Sequence, residues 1–174
     1  ALATYRRLAA VDNQVRLVLV GDGPELANIK AHYPDVICCG IQRGQALAEH
    51  YASGDIFLFP SKTDTFGNVL TEAMASGLAV VSFDYAAGHE HISHYETGML
   101  APFGDDAAFI ERAETLADSP NLLARIRLQA RQHAIGVSWD HIVTDFIQRL
   151  DGNQEKVSRD VQHKNITKDR ITVQ

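Results

Sequence analysis

Two carboxylates eight positions apart, Asp64 and Glu72, are the residues of this 174-residue chain best placed to grip a ligand rich in hydroxyl groups. They bracket a loop of small and polar residues, Pro60-Ser61-Lys62-Thr63-Asp64-Thr65-Phe66-Gly67, which runs into Asn68-Val69-Leu70-Thr71-Glu72-Ala73-Met74-Ala75-Ser76-Gly77. A carboxylate accepts hydrogen bonds from paired hydroxyls such as those of a ribose. A helix that starts between two such acids adds free backbone N–H groups and a partial positive charge, which suits a phosphate.

The elements that must position these groups are legible on either side. Asp55-Ile56-Phe57-Leu58-Phe59 is a short apolar run that reads as a buried strand. Pro60 stops it, having no N–H to give a ladder. Gly67 is the flexible point of the loop, Asn68 the expected N-cap, and Gly77 the C-terminal stop of the helix. Val69, Leu70, Ala73 and Met74 form its apolar stripe. At ~100° per residue, Glu72 lies roughly 130° from the middle of that stripe, free to face the loop. In an open parallel sheet such a strand–loop–helix junction is where ligands bind. A solvated helix Glu and an ordinary turn Asp would leave the same local pattern, so the two acids alone do not decide.

The rest of the chain repeats the alternation. Residues 1–11 read as a helix with Leu2, Tyr5, Leu8 and Ala9 on one side, ended by Asp12-Asn13. Strands are expected at 15–20, 36–39, 55–59, 78–82 and 97–101. Helices are expected at about 24–32, with Pro24 at the first position, then 43–51, 105–117, 120–135 and 138–150. The segment 83–95 reads as a loop with one helical turn. Alternating strands and helices imply a parallel sheet covered on both faces, a Rossmann-like α/β/α class. The domain is expected to span 1–150, followed by a polar, disordered tail at 151–174.

Composition narrows the partners. A 45 % hydrophobic content and a net charge of −6 describe an ordinary globular domain without a general pull toward nucleic acid. No apolar run approaches the ~20 residues of a spanning helix, and the N-terminus lacks the order of a secretory signal. Adjacent Cys38 and Cys39 point to opposite faces of a strand and are expected to be reduced thiols, which fits a cytoplasmic location.

The whole string from Pro60 to Gly77, rather than any residue in it, resembles the signature of the large family of retaining, nucleotide-sugar-dependent glycosyltransferases of GT-B architecture, the group 1 glycosyl transferases. That signature is a Pro-Ser strand end, an acid, Phe-Gly, a Glu eight positions after the acid, and Ala-Met-Ala-x-Gly. One element departs: the first acid is usually Glu, and here it is Asp64. Val-Gly-Asp-Gly-Pro at 20–24, Gly40, Ala-Ser-Gly-Asp-Ile-Phe-Leu-Phe-Pro-Ser at 52–61, Thr97-Gly98-Met99-Leu100 and Ser138-Trp139 are similar to the family's flanking segments. The resemblance covers about residues 15–150.

The resemblance implies roles for matching positions. Glu72 holds the ribose hydroxyls of the donor nucleotide, and Asp64 approaches the donor hexose. Thr65 and the backbone N–H groups of Phe66, Gly67 and Asn68 line the sugar and diphosphate. Main chain near Ile41 touches the base, and Gly21 turns toward the ligand. His89, in Ala86-Ala87-Gly88-His89-Glu90, meets donor or phosphate at the cleft rim. It further implies catalysis by positioning and charge stabilisation, with no metal and no cofactor beyond a UDP-, GDP- or ADP-sugar donor. The acceptor is a saccharide or lipid-linked saccharide, held mainly by an N-terminal acceptor domain through which the enzyme could touch the inner face of a membrane. The Arg and Lys that neutralise the diphosphate belong to a "GR…KG" segment near the family's first strand of this domain, which has no counterpart here; Lys62 is a weak substitute. This chain is therefore expected to be the donor-side half of an enzyme, inactive alone. The strands at 15–20 and 55–59 are expected either to pair directly or to flank a segment that fills the central place in the 3-2-1-4-5-6 order.

Other chemistries fit less well. Gly88-His89-Glu90-His91-Ile92-Ser93-His94 suggests a metal, but an HExxH helix needs His where Ser93 stands. Ser61 has no GxSxG elbow. A non-catalytic sugar-nucleotide-binding or interaction module of the same fold is the main alternative, and a GT-B-like epimerase or phosphorylase a more distant one.

Overall fold

A computed structural model describes residues 1–63 and 67–136. The expected helix at 138–150, the Ser138-Trp139 pair and the tail at 151–174 lie outside the described residues.

The described residues form five strands and seven helices, alternating up to the final helix pair: α1 Leu2–Val11, β1 Val18–Val20, α2 Leu26–His32, β2 Ile37–Gly40, α3 Gly44–Ser53, β3 Ile56–Phe59, α4 Asn68–Ala75, β4 Ala79–Phe83, α5 Ala87–His91, β5 Gly98–Ala101, α6 Asp106–Ala117 and α7 Pro120–Gly136. Pro24 sits in the turn before α2 rather than inside it, with Glu25 at the cap. The one helical turn expected within 83–95 is α5.

The core is built on β4. All five of its residues are buried, as a strand covered on both faces must be. Ala79, Val81 and Phe83 point to one face, where they meet Met99, Ala101, and Phe109, Ala113 and Leu116 of α6, together with Ile126 of α7. Val80 points to the other and packs with Phe59, Leu70, Ala73, Met74, Ile92 and Ala130. The period of two along β4 thus divides the helices into two layers. On α4, Leu70, Ala73 and Met74 are fully buried as the stripe requires, but Val69 is exposed at its edge.

Every strand pairing among the described residues is parallel. β3 pairs with β4 over Ile56–Phe59 and Ala79–Ser82, and β4 with β5 over Val80–Phe83 and Gly98–Ala101. β1 pairs with β2 and not with β3, so the strands form two sheets of order β1-β2 and β3-β4-β5. Neither arrangement expected for the central position is present: β1 and β3 do not pair, and no strand among the described residues lies between them. The consequence is visible on β1. Val18 and Val20 are 44 % and 40 % exposed. The apolar run that reads as a buried central strand stands at a sheet edge, with only three residues in ladder geometry rather than the six expected.

Candidate functional site

The loop after β3 enters α4 through Gly67, which has φ 60° and ψ 33°. That left-handed conformation is one that glycine adopts without a Cβ clash. Gly67, not Asn68, is therefore the N-cap: its carbonyl accepts from the N–H of Leu70 at 2.8 Å and of Thr71 at 3.2 Å. Asn68 is the first helical residue, and its carbonyl accepts from the Thr71 hydroxyl at 2.9 Å. The other end of α4 closes as a Schellman motif, with Gly77 at φ 82°, Gly77 N–H donating to Met74 at 2.9 Å and Leu78 N–H to Ala73 at 3.1 Å. The helix is thus fixed at both ends, and the residues on it have defined directions.

A second demand on Gly67 comes from across the site. A Cβ placed there would lie 2.3 Å from the Cβ of Ala87, the first residue of α5. The starts of α4 and α5 therefore abut, and only the missing side chain at 67 lets them. Gly88 is equally constrained, since a Cβ there would lie 2.3 Å from the Phe83 carbonyl and 2.4 Å from Ser82 Oγ. Ala86, which caps α5, carries the strain of this arrangement, with φ 44° and ψ −119°. A non-glycine residue there costs of order 1–3 kcal/mol and persists only where its surroundings over-determine it.

Glu72 is exposed on the outer side of α4, as its angle from the stripe predicts. Tyr51, near the end of α3, donates its hydroxyl to Glu72 Oε2 at 3.2 Å. Burial first, and then the neighbouring Glu72 charge and the hydrogen bond to it, push the Tyr51 phenol up to about 12, so it stays a donor at neutral pH. Tyr51 also packs on Phe57 of β3, ring centroids 6.0 Å apart, and Phe57 on Phe59 at 6.2 Å. Sequence reasoning misses this partner, because Tyr51 is 21 residues from Glu72 and no local spacing links them. The Glu72 carboxylate keeps further lone pairs for a pair of ligand hydroxyls.

The remaining expected residues are placed unevenly. Asp64, Thr65 and Phe66 lie outside the described residues. Gly21 follows β1 with φ 131° and donates to Gly40 at 2.8 Å, tying the ends of β1 and β2 together. Ile41 follows β2 and is 63 % exposed. Both stand at the carboxyl ends of the β1-β2 sheet, the side on which α/β folds bind ligands. His89 Nδ1 lies 2.6 Å from Asp84 Oδ1, just past β4. Lys62 Nζ lies 3.2 Å from Asp106 Oδ1 and 5.3 Å from the centre of the Phe83 ring, so its charge already has a partner. His94 is committed elsewhere: its Nδ1 accepts from the Leu100 N–H at 2.9 Å. Cys38 and Cys39 are free and half-buried.

This geometry can bind a diphosphate at abutting helix starts and a hydroxyl pair at Glu72. The family model described as "Glycosyl transferases group 1" matches residues 2–119. The chain is 34 % identical over 139 residues to a GDP-mannose-dependent alpha-mannosyltransferase of Mycobacterium tuberculosis, covering 79 % of this chain and 36 % of that protein. It is 34 % identical over 123 residues to the N-acetyl-alpha-D-glucosaminyl L-malate synthase of Bacillus anthracis, covering 67 % of this chain and 32 % of that protein. Among solved structures, a mutant of S. aureus TarM in complex with Fondaparinux, alpha-GlcNAc-glycerol and UDP superposes with a TM-score of 0.72 at 20 % identity, over 84 % of this chain and 31 % of that one. The C-terminal domain of a glycosyl transferase group 1 family protein from Francisella tularensis superposes with a TM-score of 0.66 at 19 % identity, over 77 % of this chain and 75 % of that one. These two likenesses establish the fold. The chain spans about a third of the length of the curated relatives it matches.

Proposed function

The chain belongs to the group 1 glycosyl transferases, and from that premise we propose that it is the donor-binding half of a retaining glycosyltransferase. It moves a hexose from a nucleotide-diphosphate sugar to a hydroxyl of a saccharide or lipid-linked saccharide acceptor. The observation that carries this reading is the Gly67–Ala87 contact, which brings the starts of α4 and α5 together one turn from Glu72. Backbone N–H groups and helix charge at that point suit an anionic linker, and the Glu72 carboxylate suits the ribose that precedes it.

In this reading the residues have separable tasks. Glu72, held by Tyr51, accepts from the ribose hydroxyls. Gly67 and Asn68, with Thr65 and Phe66, surround the diphosphate and sugar, and Asp64 meets the hexose hydroxyls. Main chain at Gly21 and Ile41 faces the base, and His89 stands at the rim. Catalysis is by positioning and by stabilisation of charge growing on the departing diphosphate, without a metal. A further domain supplies most of the acceptor contacts and any contact with a membrane surface. Among the described residues no helix is long and apolar enough to cross a membrane.

Titration of the isotope-labelled chain with UDP-, GDP- and ADP-sugars tests the proposal. Shifts centred on residues 64–72 and Tyr51, with Gly21, Ile41 and His89 among the others that respond, support it. A chain that responds to no nucleotide sugar is a non-catalytic interaction module of the same fold.

A further inference from the structure

Three loops leave the carboxyl ends of β3, β4 and β5, and each contributes to one aromatic cluster that the donor-binding roles above do not use. Tyr85 follows β4 and Phe103 follows β5, and their ring centroids lie 4.4 Å apart at 38°. Phe103 also meets the buried Phe83 edge-on at 6.2 Å, and Lys62, from the β3 loop, reaches over Phe83 from beside Asp106. Tyr85 and Phe103 are 48 % and 52 % exposed, so the stacked pair leaves about half of its surface in solvent.

Their backbones are held in place. Tyr85 N–H donates to Phe83 at 2.9 Å, and the Tyr85 carbonyl accepts from Gly88 at 3.0 Å. The strained Ala86 is the next residue. Phe103 stands in the turn closed by Asp105 N–H on Pro102 at 3.0 Å. Polar groups come from the same three loops: Asp84, which directly precedes Tyr85, pairs with His89, and Lys62 pairs with Asp106 and lies over the Phe83 ring, all four substantially exposed.

We propose that Tyr85 and Phe103 form a stacking shelf for a pyranose ring of the acceptor, with Asp84 and Lys62 at its rim to meet the ring hydroxyls. A sugar ring offers a face of C–H groups to an aromatic surface and hydroxyls at its edge, the pattern that two half-exposed rings inside a charged rim complement. An acyl chain or an anionic membrane surface fits worse, because Asp84, Asp105 and Asp106 stand within three residues of the two rings in the chain and carry the wrong charge for it. The place along the sheet selects acceptor over donor. Tyr51 and Glu72 lie at the β3 side and the abutting helix starts come next, so a ring on the ends of β4 and β5 lies beyond the donor diphosphate. The inference rests on the transferase reading of the same cleft.

In the full-length enzyme, Tyr85→Ala and Phe103→Ala are expected to raise the acceptor KM by about fivefold or more while the donor KM stays within about twofold. Tyr85→Phe keeps the ring and recovers most of the loss. Because Phe103 also touches the core, the two Tyr85 variants decide if Phe103→Ala fails to fold. An unchanged acceptor KM in Tyr85→Ala overturns the shelf, and a rise in the donor KM alone moves it to the donor hexose and overturns the acceptor assignment. Sedimentation with vesicles of anionic phospholipid that depends on Tyr85 would make the shelf a membrane contact and also overturn it. Should the chain bind no nucleotide sugar, the transferase reading fails first. The shelf is then judged by titrating the labelled chain with methyl α-D-glucopyranoside: broadening at Tyr85 and Phe103 sustains a sugar subsite, and its absence ends the proposal.

Discussion

The Tyr51 hydroxyl donates to Glu72 Oε2 across 3.2 Å, joining the helix before β3 to the helix after it at the carboxylate assigned to the ribose. The bond leaves one carboxylate oxygen and spare lone pairs toward solvent and restricts the rotamers of an otherwise exposed side chain. Glu72→Ala in the full-length enzyme should lower donor affinity at least about tenfold, as for the loss of hydrogen bonds to a charged group. Tyr51→Phe should cost only about two- to fivefold, because the carboxylate remains and only its orientation is freed. Steady-state KM for the nucleotide sugar checks both, and equal effects of the two changes would contradict the division of roles.

Gly67→Ala should be damaging out of proportion to its size. The new methyl group would sit 2.3 Å from the Ala87 Cβ at a backbone φ of 60°. The left-handed conformation and the forced separation of α4 from α5 together should lower unfolding free energy by about 2 kcal/mol or more. Urea denaturation measures the loss. Donor binding should fall as well, since the two helix starts could no longer abut.

Arg127 of α7 ties three points of the β3-β4 side together. Its guanidinium donates to the Gly77 carbonyl at 2.8 Å, to Asp55 Oδ1 at 2.5 Å and to the Gly54 carbonyl at 3.4 Å. Replacing it with Ala should destabilise the chain by about 1–3 kcal/mol, and Lys should recover only part, because an ammonium cannot reproduce the planar fork. Thermal melts of the three proteins should rank wild type, Arg127→Lys, Arg127→Ala.

His94 makes stability depend on pH in a defined window. Burial, and next the positive charge of Arg112, hold its imidazole below the ordinary 6.5, with Asp84 opposing. The neutral ring accepts from the Leu100 N–H, which a protonated Nδ1 could not do. The unfolded chain therefore takes up the proton first, and this contribution to stability is present above 6.5 and lost as pH falls from there through the folded value. His94→Gln removes the titration. The difference between wild-type and variant urea curves should slope below 6.5 and flatten above it.

The alternation of apolar runs and amphipathic stretches is enough to place all five strands and the described helices to within a few residues, because burial on two faces leaves so plain a trace in runs such as Ala79–Phe83. Glu72 is legible for a related reason: its angle on α4 follows from helix geometry alone. Tyr51 is not, nor is the Gly67–Ala87 approach, since both join residues about 20 positions apart whose types are common everywhere. Val18–Val20 misleads in the opposite sense. Its apolar residues resemble those of a buried strand, but hydrophobicity records what a segment is suited to, not what lies beside it.

The split of the strands into two ladders also governs how the protein comes apart. No ladder hydrogen bond carries load from β1 to β3, so the amides of the β1-β2 pair are held only by each other and by side-chain packing. Those protons should trade with deuterated solvent well before the amides of β4, which is flanked on both edges, and warming should loosen that corner while the three-stranded block still stands.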